Sequence, residues 1–190
     1  MPASQQHRVL FLCSGNSARS ILAESILNRL GQGRIMADSA GSHPKGEVHN
    51  YALELLSQLA YPTHGLRSKS WNEFAIENAP CFDFVITVCD AAAAETCPVW
   101  LGQPMTANWG ISDPTATENS PWARRAAFVD AYGCLYNRIS VFVDLPLASL
   151  SPASLKRKLS RIGEVDDWAS SAASLNSLYE PQAHPRSLDH

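Results

Sequence analysis

The chain has 190 residues, 45% of them hydrophobic and 17% charged, with a formal net charge of −3 at pH 7. That suffices for one good core, and basic residues that are neither in excess nor in one block exclude a nucleic-acid or membrane surface. No run of about 18 apolar residues occurs, and no basic flank precedes an apolar stretch of about 7–15 residues, so a cytoplasmic protein is expected. In chain order, Val9 to Leu12 lead into Cys13 as a buried strand over residues 8–13, and Ile21, Leu22, Ile26, Leu27 and Leu30 recur at helical spacing over 20–30, where Gly31 and Gly33 end the helix. Ile35 to Ala40 read as a second strand running into Gly41. His49 or Asn50 caps a helix over Tyr51 to Leu59, with Pro62 beyond its end, and Ser70 caps a shorter one through Glu77. Phe82 to Cys89 is β-branched and apolar enough for the middle of a parallel sheet, and a fourth strand covers Met105 to Trp109. Asp113-Pro114 is a turn, Ser120-Pro121 opens a long helix to about Val143, and Ser151-Pro152 opens another that Gly163 ends. From 164 to 190 the composition turns to Ser, Ala, Asn and Pro, which predicts a disordered tail behind one domain spanning 1–163.

Strands alternating with helices predict an α/β fold: a parallel sheet with right-handed crossovers and helices on both faces. Ligands of such sheets bind off the C-terminal edge. Cys13 follows strand one, Ser39 to Gly41 end strand two, Cys89 ends strand three and Asp113 follows strand four, so the topology brings all of them to one edge.

The stretch Cys13, Ser14, Gly15, Asn16, Ser17, Ala18, Arg19, Ser20 lies between a strand and a helix start. The first N–H groups of a helix lack partners within it, and its dipole favours negative charge there. Gly15 and Asn16 are residue types that visit left-handed conformations, which turns successive N–H groups inward as an anion nest. Arg19 can grip two anion oxygens at once. A free thiol titrates near about 8.5, and a helix start with a nearby cation lowers that to about 4–7, so Cys13 is expected as a thiolate nucleophile.

Five cysteines, an odd number, point to reduced thiols rather than a disulfide framework. Cys89 and Cys97 bracket seven residues, a spacing that is neither a CxxC motif nor a zinc site. They read either as thiols that carry a disulfide from the site outward or as a buried small residue and an incidental loop thiol. Asp113 reads as a proton donor to a leaving oxygen or as part of an ordinary Asp-Pro turn. Cys81, at the opposite sheet edge, and Cys134, within a helix, are expected to be structural, and six scattered histidines have no metal-ligand spacing.

Cys-x5-Arg-Ser after the first strand, with a late Asp-Pro, resembles the low-molecular-weight protein tyrosine phosphatase fold. The block Val85-Ile-Thr-Val-Cys89-Asp, then Cys97-Pro98 and Asn108-Trp-Gly-Ile-Ser-Asp-Pro114, is similar to the arsenate reductases built on it. The resemblance spans residues 7–163 and implies a four-stranded sheet in the order 2-1-3-4. It implies that Cys13 attacks arsenate held by Ser14 to Ser20, with Arg19 gripping the oxyanion and Asp113 protonating the departing oxygen. Cys89 then resolves the adduct, and Cys97 moves the disulfide outward to thioredoxin. No cofactor is bound, and phosphate or sulfate compete. The Cys89 to Cys97 spacing, one residue longer than in thioredoxin-coupled relatives, leaves glutaredoxin with glutathione as an alternative donor. Some relatives bind potassium behind the cradle through residues matching Asn16, Glu24 and Ser39 plus an aspartate. That last position matches Lys69 here, whose ammonium is expected to replace the ion electrostatically, so no potassium requirement is predicted. A phosphatase, needing only Cys13, Arg19 and Asp113, and a non-catalytic oxyanion-binding thiol sensor are the competing readings.

Overall fold

The computed structural model describes residues 6–116 and 120–164. Its elements are β1 (His7–Cys13), α1 (Arg19–Leu30), β2 (Ile35–Gly41), α2 (Asn50–Gln58), β3 (Phe84–Thr87), α3 (Asp90–Ala94), β4 (Met105–Asn108), α4 (Pro121–Val143) and α5 (Pro152–Gly163), with 3-10 turns at Trp71–Phe74, Pro114–Ala116 and Leu147–Ser149. All four strands are parallel and lie in the order β2-β1-β3-β4. The register sets Cys13 beside Gly41, Leu12 beside Thr87 and Thr87 beside Asn108. The C-terminal ends of the strands therefore share one edge, as the alternation of elements predicts.

Side chains alternate across a strand, and β1 divides its own between two cores. Val9, Phe11 and Cys13 enter the larger one, built with Ile21, Leu22 and Ile26 of α1, Phe128, Leu135 and Phe142 of α4, and Leu159 of α5. Leu10 and Leu12 enter a smaller core on the other face, with Phe82, Val85 and Trp100, against which Trp71 and Phe74 of the first 3-10 turn pack. Trp109 is fully buried in the larger core, and its indole Nε1 donates to the Leu159 carbonyl at 2.9 Å, tying the end of β4 to α5. α4 and α5 begin as their Ser-Pro pairs dictate: the Ser120 and Ser151 hydroxyls accept from the N–H groups of Ala123 and Ser154. His49 caps α2 through Nδ1.

Two elements are shorter than the sequence predicts. Ser70 does cap a helical segment, but only the 3-10 turn Trp71–Phe74 forms, and it buries no residue that could reward further growth toward Glu77. The third strand's ladder covers Phe84–Thr87 rather than Phe82 to Cys89. Val88 still donates to the Leu12 carbonyl, after which Cys89 leaves the sheet to start α3, its sulfur accepting from Ala92 N–H at 3.4 Å. The predicted tail lies outside the described residues beyond Glu164. Among the described residues no helix is long and apolar enough to cross a membrane.

Candidate active site

The loop from Cys13 to Arg19 curls over the C-terminal end of β1, and a wall of backbone bonds fixes its shape. The Ser14, Gly15 and Ser17 carbonyls accept from the N–H groups of His43, Lys45 and His49 at 2.9, 3.0 and 2.9 Å. With those carbonyls committed to the wall, the Asn16 N–H turns the other way and donates to Cys13 Sγ at 3.2 Å. Asn16 takes the left-handed conformation, φ 40°, and Gly15 does not. At 15 the absence of a side chain lets the Lys45 alkyl chain lie close, since a Cβ there would stand 3.3 Å from it. Gly41 is needed more strictly, since its Cβ would stand 2.5 Å from the Ser14 carbonyl oxygen.

Cys13 is buried, with Sγ 2.9 Å from the Ser20 hydroxyl. Burial holds its thiol above the ordinary value of 9.0; the Ser20 hydroxyl and the N–H groups of Ser20 and Asn16 pull it down, and neighbouring Cys89 adds to the rise. This corrects the expectation of a resting thiolate. The N–H groups are in place, but the cation expected beside the sulfur is engaged elsewhere. Arg19 donates from Nη2 to Asp113 Oδ2 at 2.8 Å and from Nη1 to the Ile111 carbonyl at 3.1 Å.

Asp113 thus closes over the cradle as the partner of Arg19. Burial would raise its carboxyl, but the Thr115 N–H and hydroxyl, with the charges of Arg19 and Lys45, hold it below its ordinary value. It is a carboxylate at neutral pH, paired with the Arg19 guanidinium. The loop bearing it is anchored from beneath: buried Arg138 donates from Nη1 to the carbonyls of Trp109 and Gly110 at 2.8 and 3.2 Å.

Cys89 lies beside the cradle, buried in the same core as Cys13, with Sγ 3.8 Å from the Ser14 hydroxyl. Cys97 is not with them. It packs against the smaller core, across the sheet, and burial and then the Glu95 charge raise its thiol. Cys81 is exposed at the opposite edge, and Cys134 is half-buried in α4.

Behind the cradle a chain of polar contacts reaches the nucleophile. The Lys69 ammonium stands 3.4 Å from Glu24 Oε2, to which the Ser39 hydroxyl donates at 2.5 Å. Asn16 Nδ2 donates to the hydroxyls of Ser39 and Ser20 at 2.8 and 2.9 Å, and Asn16 Oδ1 accepts from Lys69 N–H at 2.6 Å. The Lys69 ammonium is thus paired with the Glu24 carboxylate, and the protein supplies its own cation at this point behind the cradle. Burial raises the Glu24 carboxyl; the Lys69 charge and the Ser39 hydroxyl oppose it.

Sequence reasoning missed three residues at the mouth. The Lys45 alkyl chain covers Gly15, and its charge reaches both Asp113 and His49. His49, stacked on Tyr51 and packed on Phe128, is held below its ordinary value by burial and by Lys45 and Arg124. Glu95 accepts from the Ser14 hydroxyl at 3.3 Å. The order β2-β1-β3 was the available signal, because the loops after β2 and β3 must border the loop after β1. Among the described residues no group of three or more His, Cys, Asp or Glu could hold a metal ion.

Comparison with known proteins gives a consistent picture. The model of the family described as low molecular weight phosphotyrosine protein phosphatase matches residues 8–134. The glutaredoxin arsenate reductase of Synechocystis sp. is 31% identical over 107 residues, 56% of this chain and 78% of that protein. The arsenate reductase of Bacillus subtilis is 29% identical over 139 residues, 72% of this chain and 94% of its own. A solved structure of an arsenate reductase in the phosphate binding state is 25% identical and superimposes with a TM-score of 0.58, covering 73% of this chain and 97% of that one.

Proposed function

This chain belongs to the low molecular weight phosphotyrosine protein phosphatase family, and within it we propose an arsenate reductase that works by a three-cysteine relay. The observation that carries the reading is the pairing of two buried cysteines at the cradle, Cys13 and Cys89, each in contact with Ser14 or Ser20 hydroxyls. Ester hydrolysis calls for one nucleophilic sulfur at the cradle, whereas a disulfide product calls for two.

Arsenate enters as a dianion and draws Arg19 away from Asp113, and the loop N–H groups and Arg19 hold its oxygens. Cys13 sulfur attacks arsenic as its proton passes to the leaving oxygen, with Asp113 as carrier; an S–As bond forms, an As–O bond breaks and water departs. Cys89 sulfur then attacks Cys13 sulfur. The S–As electron pair stays on arsenic, which leaves as arsenite carrying the Cys89 proton, and a Cys13–Cys89 disulfide remains. Cys97 attacks Cys89, Cys13 recovers its thiol, and an external dithiol reduces the Cys89–Cys97 disulfide with two electrons. Thioredoxin is the first candidate for that donor. Glutaredoxin with glutathione is the second, favoured by the name of the Synechocystis relative. A relay of free thiols belongs in a reducing compartment, the cytoplasm. The domain that performs it spans 1–163.

The reading is tested by a single turnover without donor. Reduced protein given arsenate should release one equivalent of arsenite and lose two thiols, and Cys97→Ser should trap the disulfide between Cys13 and Cys89. Release of phosphate from aryl phosphates by Cys89→Ser at the wild-type rate, with no arsenite formed by the wild type, would instead establish a phosphatase.

A further inference from the structure

In the resting structure the third cysteine of the relay faces the wrong core. Cys13 and Cys89 lie in the larger core, whereas Cys97 packs against the smaller one on the other face of the sheet. A disulfide tolerates little error in the placement of its two residues, so the segment between Cys89 and Cys97 must shift before Cys97 can reach its target.

One side chain ties that segment to the cradle. Glu95 Oε1 accepts from the Ser14 hydroxyl at 3.3 Å, and Oε2 lies 3.8 Å from His43 Nδ1. The same Ser14 hydroxyl stands 3.8 Å from Cys89 Sγ, and Ser14 is the first residue of the cradle after the nucleophile. The Glu95 carboxylate therefore sits at the rim of the cradle, on the hydroxyl of its first residue after the nucleophile. It is not needed to end α3, whose final N–H already bonds to the Ala92 carbonyl.

We propose that Glu95 is a latch coupling occupation of the cradle to release of Cys97. An oxyanion dianion in the cradle competes for the Ser14 hydroxyl and repels the carboxylate; the Ser14–Glu95 contact opens, and the segment from Asp90 to Cys97 is free to turn Cys97 toward Cys89. The inference rests on the relay reading. It gives the resting position of Cys97 a purpose, since a Cys89–Cys97 disulfide formed before arsenate is bound would consume the resolving thiol without reducing anything. Glu95 is a positioning residue here, acting through the segment that carries it.

The test uses the full reduced chain, iodoacetamide and inorganic phosphate as the probe, with each cysteine's modification rate read by peptide mapping. Exposed Cys81 at the far edge serves as the internal reference. Saturating phosphate should speed Cys97 modification in the wild type by about threefold or more relative to Cys81. In Glu95→Ala, Cys97 should react fast with or without phosphate, and phosphate should bind up to about tenfold tighter for want of a repelling charge. Glu95→Gln, which keeps the shape without the charge, should likewise lose the response to phosphate. Cys97 modification that phosphate leaves unchanged or slows, while Cys13 is protected, overturns the latch alone. Failure of phosphate to protect Cys13 overturns the oxyanion reading and the latch together.

Discussion

Replacing Lys69 by methionine keeps the aliphatic stem and removes only the ammonium, which isolates the ion pair behind the cradle. The backbone of residue 69 stays anchored, since its N–H donates to Asn16 Oδ1 and its carbonyl accepts from Gly41 N–H at 2.8 Å. What is lost is the cation 3.4 Å from Glu24 Oε2, both side chains being nearly inaccessible to water. Breaking one side of a buried pair costs about 3–5 kcal/mol when the remaining charge cannot be neutralised. Glu24 can be neutralised. Its carboxyl is already raised by burial against the pull of Lys69 and Ser39, and without Lys69 it rises further. A carboxyl raised by folding favours the folded state below its unfolded value and loses that contribution as pH rises through the folded one. The variant should therefore be near wild-type stability at pH 4.5 and weaken toward pH 8 by about 3 kcal/mol, roughly 6–12 °C in Tm for a domain of this size. Thermal unfolding of both proteins across that range is the assay. A penalty equally large at both ends would refute the reasoning, because it would assign the loss to packing rather than charge.

Other consequences follow from the same geometry. Because burial raises Cys13, the thiol form stabilises the fold up to the ordinary thiol value of 9.0 and that contribution is lost as pH rises through the higher folded value; the 240 nm thiolate absorbance, taken as wild type minus Cys13→Ser, should stay low at pH 7 and rise only above pH 9. Titration below that value would contradict the burial argument. Gly41→Ala places a Cβ 2.5 Å from the Ser14 carbonyl oxygen, a backbone clash that costs about 1–3 kcal/mol and pushes the cradle out of shape, so phosphate affinity measured by calorimetry should fall about tenfold or more. Lys45→Met should weaken phosphate binding several-fold at low salt, with the deficit shrinking at about 1 M NaCl, where the screening length falls to about 3 Å. A deficit indifferent to salt would assign Lys45 a packing role only.

The sheet was legible because its signals are local and repetitive: the apolar runs ending in Cys13 and at Val88, and the Ser-Pro pairs at 120 and 151, each dictate an element by themselves. The meeting of Cys13, Arg19, Cys89 and Asp113 was legible one step later, from the edge shared by parallel strands. Cys97 was not. Its side of the sheet depends on how the segment after α3 folds back onto Trp100 and Phe82, and no periodicity encodes that. Lys45 and Glu95 stayed hidden because a lone charge in a loop has no local signature; only the neighbours of β1 in the sheet reveal what such a loop borders. Spacing places N–H groups and a cation near Cys13 but carries no record of the burial of its sulfur or of the engagement of Arg19 with Asp113, and those two features hold the thiol up.

The central claim, that three cysteines pass two electrons from a protein dithiol to arsenate, is tested most directly by arsenate-dependent NADPH oxidation with thioredoxin and thioredoxin reductase, repeated with glutaredoxin, glutathione and its reductase. Wild type should turn over steadily with one of the two donors, and Cys13→Ser, Cys89→Ser and Cys97→Ser should each abolish it. Steady turnover that survives in Cys89→Ser, or wild type that is inactive with both donors while binding arsenate, would contradict the relay.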